Sequence, residues 1–168
     1  MPHVGIIMGS DSDLDIMSRS AETLKELGID HEVKVVSAHR TPDEMAEYAK
    51  TAKERGIKVI IAGAGGSAHL PGMTAAYTTL PVIAVPIVRE THTDAAIKSS
   101  NNMPPGVPLA VMPANGAVNA ALFAVAVLAL SDDSVSQKLD KYRATMHDTV
   151  IETAEKLENV GWEEYLAQ

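Results

Sequence analysis

The sequence predicts an α/β domain built on a parallel sheet. Short apolar segments rich in Val and Ile alternate with segments in which apolar residues recur every three or four positions, as strands alternating with helices require. Three of the predicted strands also end in loops rich in glycine, serine and histidine, each followed by a helical pattern. Because parallel strands share one direction, these three loops are expected at the same edge of the sheet.

The core elements can be assigned in order along the chain. Five segments rich in apolar and β-branched residues are predicted to be strands, at residues 4–8, 31–36, 58–62, 82–85 and 107–112. The second of them alternates apolar and polar residues, as a half-buried strand does. A first helix ends at Gly28. A second begins at Thr41, because Thr41, Pro42 and Glu44 match an N-cap, a first-turn proline and a capping-box glutamate.

The C-terminal part of the chain is predicted to be helical. Residues 115–130 are apolar on nearly every face of a helix, which is typical of a helix buried on all sides. Residues 134–159 then carry an apolar stripe over about six turns, more than one small sheet can cover. We therefore predict a single domain, 1–168, with an α/β core at 1–130 and a C-terminal helix that makes contacts in a homo-oligomer.

Composition and charge narrow the classes of function. The chain has 168 residues, 14 Lys and Arg against 22 Asp and Glu, a formal net charge of −8, and no cysteine. The acidic balance argues against nucleic-acid and membrane partners, and the lack of thiols rules out disulfides and a cysteine nucleophile. The histidines show no metal-ligand spacing, so no metal site is predicted. The N-terminal segment enters a strand directly, without the basic region of a signal peptide, which predicts a cytoplasmic protein.

The most informative loop covers residues 37–42. At its centre His39 stands beside Arg40, where the second strand ends and a helix begins. Histidine titrates closer to neutral pH than other side chains, so His39 is a candidate for giving and taking a proton in one catalytic cycle. Arg40 is a candidate for binding a phosphate or carboxylate. The alternatives are a solvated loop histidine and a surface ion pair.

The other two loops offer groups that suit an anionic ligand with a sugar. Residues 9–13 combine a glycine with hydroxyls and backbone N–H groups at a helix start, and Asp13 can accept hydrogen bonds from sugar hydroxyls. The alternative is that Ser12 or Asp13 only caps the helix. In residues 63–69, glycines allow close approach of the backbone to a ligand, while Ser67 and His69 add polar side chains. Plain tight turns are the alternative there.

Taken together, three motifs resemble those of one family. They are Gly-Ser-x-Ser-Asp at 9–13, Ser-Ala-His-Arg-Thr-Pro at 37–42 and Ala-Gly-Ala-Gly-Gly-x-Ala-His-Leu-Pro-Gly-Met at 62–73. In this order they closely resemble the class I PurE family, the N5-carboxyaminoimidazole ribonucleotide mutases of bacterial purine biosynthesis. The resemblance extends over about residues 3 to 130.

The resemblance implies a flavodoxin-like three-layer α/β/α sandwich, a homo-octamer, and an isomerase that needs no cofactor or metal. The implied reaction reversibly moves a carboxylate from the exocyclic nitrogen to ring carbon 4 of an imidazole ribonucleotide, by decarboxylation and recapture of CO2 held in a closed pocket. By position, His39 would be the general acid and base, and Ser10, Asp13 and Arg40 would bind the ribose phosphate. The imidazole and the migrating carboxylate would contact Ser37, Gly65, Ser67, His69 and Leu70.

One segment departs from the family pattern. Residues 88–106 lose apolar periodicity and are predicted to form a surface loop with one or two helical turns, a candidate lid. The family pattern has small, largely uncharged residues after Val85 and Pro86, whereas residues 89–94 of this chain are charged. The turn at 103–106 has proline where arginine is common. The charges would act in lid closure or in a contact between subunits.

Two rival functions stay open at this point. The class II enzyme, aminoimidazole ribonucleotide carboxylase, is similar in fold and uses free CO2, but it typically differs from Arg40-Thr41 and from the run at 68–71. A non-catalytic nucleotide-binding module of the same fold would keep the loops and bind the nucleotide without converting it. The intact His39 argues against such a module.

Overall fold

The computed structural model describes residues 1, 3–89 and 94–167. The strands are β1 (Val4–Met8), β2 (His31–Val35), β3 (Val59–Gly65), β4 (Val82–Ile87) and β5 (Ala110–Val111). The helices are α1 (Leu14–Glu26), α2 (Pro42–Thr51), α3 (His69–Tyr77), α4 (Ala95–Asn101), α5 (Ala117–Ala129), α6 (Asp133–Val160) and α7 (Trp162–Leu166). A short 3-10 turn, Asp11–Asp13, leads into α1.

The five strands form one parallel sheet in the order β2-β1-β3-β4-β5. This is the flavodoxin-like order, in which the chain reverses its direction of travel across the sheet between β1 and β3. Val4 of β1 pairs with His31 of β2 on one side and with Val59 of β3 on the other. The predicted flavodoxin-like α/β fold is confirmed. Its loops after β1, β2 and β3 lie at the sheet edge where ligands bind such folds.

Helices cover both faces of the sheet because its central strands are apolar on both sides. All of β1 and β4 is buried, as continuous apolar runs in a parallel sheet require. Successive β1 residues point to opposite faces. Ile6 and Met8 belong to the core cluster under α1 and α5, whereas Ile7 belongs to the cluster under α2 and α3. The result is the predicted three-layer sandwich.

Two predicted strands differ from the structure. β2 lies at the sheet edge, so its last three residues are exposed and Val35 leaves 54% of its surface open to solvent. A half-buried strand was expected there. β5 is limited to Ala110–Val111 instead of residues 107–112. Pro108 cannot donate a ladder hydrogen bond, which keeps the residues before Ala110 out of the sheet.

The helix expected to be buried on all sides buries one face in the chain by itself. In α5 the alanine-rich face, with Ala120, Ala121 and Ala124, packs into the core, whereas Val118 and Phe123 are exposed. Leu130, just past its end, leaves 86% of its surface open to solvent. The helix forms where it was expected, and the burial of its remaining faces by other subunits stays a prediction.

The long C-terminal helix is confirmed and extends beyond the core. Asp132 caps α6, since its carboxylate accepts hydrogen bonds from the Ser134 and Val135 backbone N–H groups. Val135 is buried, but the apolar stripe farther along the helix is exposed, and Val150 leaves 65% of its surface open to solvent. Among the helices of the described residues, none combines the length and the apolar composition that crossing a membrane requires.

The segment between β4 and β5 is helical in part. The predicted helical turns are present as α4, Ala95–Asn101. Most of the charged stretch that departs from the family pattern, residues 90–93, lies outside the described residues. The prediction of a lid or a subunit contact there stays a prediction.

Candidate functional site

The three loops form one cleft of about 580 Å³ at the carboxyl ends of the strands. Every candidate residue lines it: Ser10, Asp13, Ser37, His39, Arg40, Gly65, Ser67, His69 and Leu70. The end of β4 adds Ile87 and Arg89, which were not among the predicted site residues. The predicted meeting of the loops after β1, β2 and β3 is therefore present in the fold.

Two histidines from different loops are joined inside the cleft. The His39 Nε2 and His69 Nδ1 atoms are 2.7 Å apart, and the two rings meet edge to face with centroids 4.9 Å apart. Such a hydrogen bond needs one ring nitrogen to carry the proton and the other to accept it. The hydrogen bond links the two imidazole rings, which makes the pair a candidate for proton transfer.

His69 owes its place to a strained backbone just before it. Ala68 is buried and has a φ of +33°, in the left-handed region that residues with a Cβ seldom adopt. Gly66, with a φ of +60°, shares the turn. These conformations reverse the chain after β3, so that His69 begins α3 at the cleft. Strain of this kind is kept where the surroundings determine the conformation, and it is frequent at binding and catalytic sites.

Arg40 is held against two loops. Its backbone N–H and its Nε–H both donate to Ser37 Oγ, at 3.2 and 3.4 Å. Its Nη2 donates to the Gly9 carbonyl at 2.8 Å. Within the described part of the chain, the side chain thus uses two of its five guanidinium N–H donors. The others can serve an anionic ligand, and the guanidinium is already oriented for it.

The predicted cap of α2 is different in the structure. Thr41 precedes the helix as expected, but its side chain makes no capping hydrogen bond. Instead its hydroxyl accepts from the Ser37 N–H at 2.9 Å and donates to the Ser37 carbonyl at 3.2 Å. The hydroxyl serves the loop rather than the helix, because the loop must close around His39. The expected capping box is therefore wrong.

The loop after β1 contains a cap and a buried carboxyl group. Ser10 caps the 3-10 turn, since its hydroxyl accepts from the Ser12 N–H at 3.2 Å. Asp13 occupies the N-cap position of α1, but its side chain makes no capping hydrogen bond. Asp13 leaves only 8% of its surface open to solvent. Burial raises the pKa of the Asp13 carboxyl above its ordinary value of 3.8, and the nearby Arg89 guanidinium opposes this shift.

Arg89 joins the cleft from the end of β4. Its guanidinium binds both Asp15 carboxylate oxygens, at 2.6 and 3.2 Å, and donates to the Ser12 carbonyl at 2.5 Å. This ion pair holds the pKa of Asp15 below its usual range and raises that of Arg89. One signal in the sequence could have identified the residue. Arg89 follows a fourth buried parallel strand, which ends at the same sheet edge as the other three.

The fold and the cleft define the class of protein: a flavodoxin-like α/β protein with a polar ligand site at its strand ends, containing a histidine pair and two arginines. A family model described as AIR carboxylase matches residues 3–149. The chain belongs to this family.

Relatives of known name match along the whole chain. The N5-carboxyaminoimidazole ribonucleotide mutase of Thermotoga maritima is 53% identical, with 100% of this chain and 99% of the relative aligned. That of Bacillus subtilis is 54% identical, over 93% of this chain and 98% of the relative. The phosphoribosylaminoimidazole carboxylase of Saccharomyces cerevisiae is 52% identical over 98% of this chain, but the match spans 29% of that longer protein.

A solved structure agrees with the family assignment. The crystal structure of Treponema denticola PurE superposes with a TM-score of 0.86 at 30% identity, over 94% of this chain and 99% of that one. The resemblance read from the three loop motifs is thus confirmed at the level of family and fold.

Proposed function

We propose that this protein is an N5-carboxyaminoimidazole ribonucleotide mutase of de novo purine (IMP) biosynthesis. The observation that carries the proposal is the hydrogen-bonded pair of His39 and His69 in a cleft that also holds Arg40. Such a cleft offers a proton carrier next to an anion site, which the carboxylate transfer requires. The relatives that match this chain over nearly their full length have that name, and the carboxylases are much longer chains.

In this proposal the substrate's ribose phosphate binds at the Ser10, Asp13 and Arg40 end of the cleft. Arg40 binds the phosphate, helped by the backbone N–H groups of the loop after β1. The Asp13 carboxylate accepts hydrogen bonds from the ribose hydroxyls, because an ionised carboxylate repels phosphate oxygens. Both groups are held ready: Arg40 by Ser37 and Gly9, and Asp13 by its burial.

The imidazole and the migrating carboxylate occupy the other end of the cleft. In this proposal they contact Ser37, Gly65, Ser67, His69 and Leu70, which all line the cleft. Ser37 lies at the boundary of the two ends, because its Oγ accepts hydrogen bonds from Arg40. Gly65 has no side chain, so its backbone can approach the ligand, and Ser67 offers a hydroxyl. Leu70, which belongs to the buried core, is the apolar side chain next to the ligand. In this mechanism the apolar side of the cleft helps to keep CO2 near the ring and away from water.

His39 is the general acid and base in this mechanism. The bond between the exocyclic nitrogen and the carboxylate carbon breaks, CO2 leaves, and the nitrogen takes a proton from His39. Ring carbon 4 then bonds to CO2, and the proton on that carbon returns to His39. Protons and electrons balance over the cycle, so no external acid, base or redox partner is consumed. The hydrogen bond to His69 orients the His39 ring for both transfers.

The test is a direct conversion assay. Purified protein is mixed with synthetic N5-carboxyaminoimidazole ribonucleotide without added bicarbonate, and the carbon-carboxylated isomer is followed against an enzyme-free control. We expect product to form faster than by the uncatalysed route. Turnover of aminoimidazole ribonucleotide with CO2 in its place would indicate the carboxylase. Binding without either reaction would indicate a nucleotide-binding module.

The proposal extends to assembly and location. We propose a homo-octamer, supported by the exposed apolar faces of α5 and α6 and by the exposed valines of the edge strand β2. Contiguous apolar surface of this kind marks contacts between subunits in oligomeric proteins.

The proposed ligand is an imidazole ribonucleotide monophosphate rather than a nucleic acid or a membrane. A cytoplasmic location stays a prediction.

A further inference from the structure

Arg89 reaches across the mouth of the site from a firmly anchored position. The backbone of Val88, just before it, is held on both sides by Asn115: the Val88 N–H donates to the Asn115 Oδ1 at 2.9 Å, and the Asn115 Nδ2 donates to the Val88 carbonyl at 3.0 Å. Asn115 has a φ of +57°, which places its amide for both bonds. Arg89 therefore starts from a fixed point at the end of β4.

From there the guanidinium crosses the end of β3 to the loop after β1. In the sheet order, β3 lies between β1 and β4. The Arg89 side chain passes over it to bind the Asp15 carboxylate and the Ser12 carbonyl. These two acceptors stand on either side of Asp13 in the sequence. The Arg89 side chain thus contacts the turn on both sides of Asp13 and restrains it.

The Arg89 guanidinium also offsets the negative charge of three nearby carboxylates. Asp11, Asp13 and Asp15 fall within five residues, and the other two carboxylates both raise the pKa of Asp13. A ligand phosphate at this loop would meet that negative charge in a chain of net charge −8. Arg89 supplies the opposing positive charge at the loop itself.

We propose that Arg89 is a positioning residue for the ribose phosphate end of the site: it locks the turn that carries Ser10 and Asp13 and offsets the local negative charge. This inference rests on the proposed function, because it takes that end of the cleft as the ribose phosphate site. Arg89 makes this contact from the end of β4, through its ion pair with Asp15. Its ion pair is exposed, with 46% of the Arg89 side chain open to solvent, and such pairs add little to stability.

The experiment separates positioning from folding. Arg89→Ala and Arg89→Gln are compared with the wild-type enzyme in the dissociation constant for ribose 5-phosphate, in KM, in kcat and in Tm. Lys98→Ala is the matched control, because it removes an exposed pair with Asp94 on α4, and Lys98 does not line the cleft. We expect both Arg89 variants to weaken ribose 5-phosphate binding and raise KM by about tenfold, the scale of one charged hydrogen-bonded contact. We expect kcat to stay within about twofold, since the reacting end is untouched.

Either of two results would overturn the proposal. One is an unchanged dissociation constant and KM in both variants. The other is a fall in Tm accompanied by an equal loss of kcat at constant KM, since that pattern belongs to a structural residue. The sugar phosphate probe keeps this test separate from that of the proposed function. A wild-type protein that binds ribose 5-phosphate tightly but converts no nucleotide would refute the mutase, while the effect of Arg89 on binding could still be read.

Discussion

At the scale of single residues, the main feature of the cleft is a hydrogen bond between two histidines. His39 and His69 come from loops that follow different strands, yet their ring nitrogens are 2.7 Å apart. Two imidazolium rings cannot keep this hydrogen bond, because both nitrogens would then be donors. The hydrogen bond therefore holds only while one ring nitrogen donates and the other accepts. Within this pair His39 is the member next to Arg40 in the sequence, so in the proposed function it carries the proton beside the anion site.

Replacing His39 with asparagine should separate chemistry from binding. We expect His39→Asn to lower kcat by about 100-fold or more, the usual contribution of a general acid and base, while the nucleotide still binds. The measurement is kcat by the conversion assay and the dissociation constant by calorimetry. His31→Asn is the control, because His31 does not line the cleft and its Nδ1 forms a hydrogen bond with the Ile29 carbonyl. Normal turnover in His39→Asn would remove this residue from the mechanism.

Burial of the Asp13 carboxyl group lowers the stability of the fold at neutral pH. Burial raises its pKa in the folded chain above the ordinary 3.8. Folding is therefore less favourable once the pH rises from 3.8 through that raised pKa, because the buried carboxyl must ionise. Below pH 3.8 the group is protonated in both the folded and the unfolded chain. An amide at this position imitates the protonated form at every pH.

We thus expect Asp13→Asn to raise Tm at pH 7, with the difference from the wild type closing as the pH falls below 3.8. The same change should raise KM, since an amide offers one acceptor oxygen where the carboxylate offers two. Thermal unfolding from pH 3 to pH 7, with KM measured at pH 7, tests both statements. Asp140→Asn, on an exposed position of α6, is the control. A lower Tm at pH 7 would contradict the account of Asp13.

At the scale of elements, the buried strands were predictable and the loop conformations were not. Continuous apolar runs identify β1, β3 and β4, because few alternatives bury so many apolar residues. The left-handed conformation of Ala68 cannot be read from the sequence, since tertiary contacts impose it on a residue type that avoids it. Thr41 illustrates the same point: it precedes α2 as its pattern predicts, but its hydroxyl bonds to the backbone of Ser37 instead of capping the helix.

The candidate site follows the same division. The three loops at one sheet edge were predictable, because parallel strands put their carboxyl ends together. The contact between His39 and His69 depends on the strained turn before α3, and the reach of Arg89 depends on where β4 ends beside β3. Both contacts are consequences of tertiary packing, so the pattern and spacing of residues in the sequence do not predict them.

Packing of α1 onto the sheet restricts β3 to a glycine at one position. A Cβ on Gly63 would overlap the Met17 Sδ, and Met17 is itself fully buried in α1. We expect Gly63→Ala to destabilise the fold by about 1–3 kcal/mol, the usual cost of overpacking a core. Chemical denaturation measures it. Gly9→Ala is the matched control, since nothing lies within 4 Å of its added Cβ. Equal stability of the two variants would contradict the tight contact of α1 with β3.

At the scale of the whole molecule, apolar surface and net charge act in opposite directions. A net charge of −8 keeps copies of the chain apart, whereas the open faces of α5 and α6 favour association. Phe123, Leu130 and Val150 lie on this part of the surface and are strongly exposed in the single chain. Burial of apolar area contributes more than dispersed surface repulsion at ordinary ionic strength, because salt screens the charges. Association is therefore the expected state.

Light scattering on the eluting protein tests that expectation. We expect the wild type to have a mass near eight times the 17.8 kDa of one chain. Phe123→Glu puts a charge on the open face of α5 and should yield smaller species, because a carboxylate buried in a subunit contact has no partner there. Lys53→Glu, at an exposed polar position after α2, should leave the mass unchanged. A wild-type mass of 17.8 kDa would refute association altogether, and a dimer or tetramer would refute the octamer.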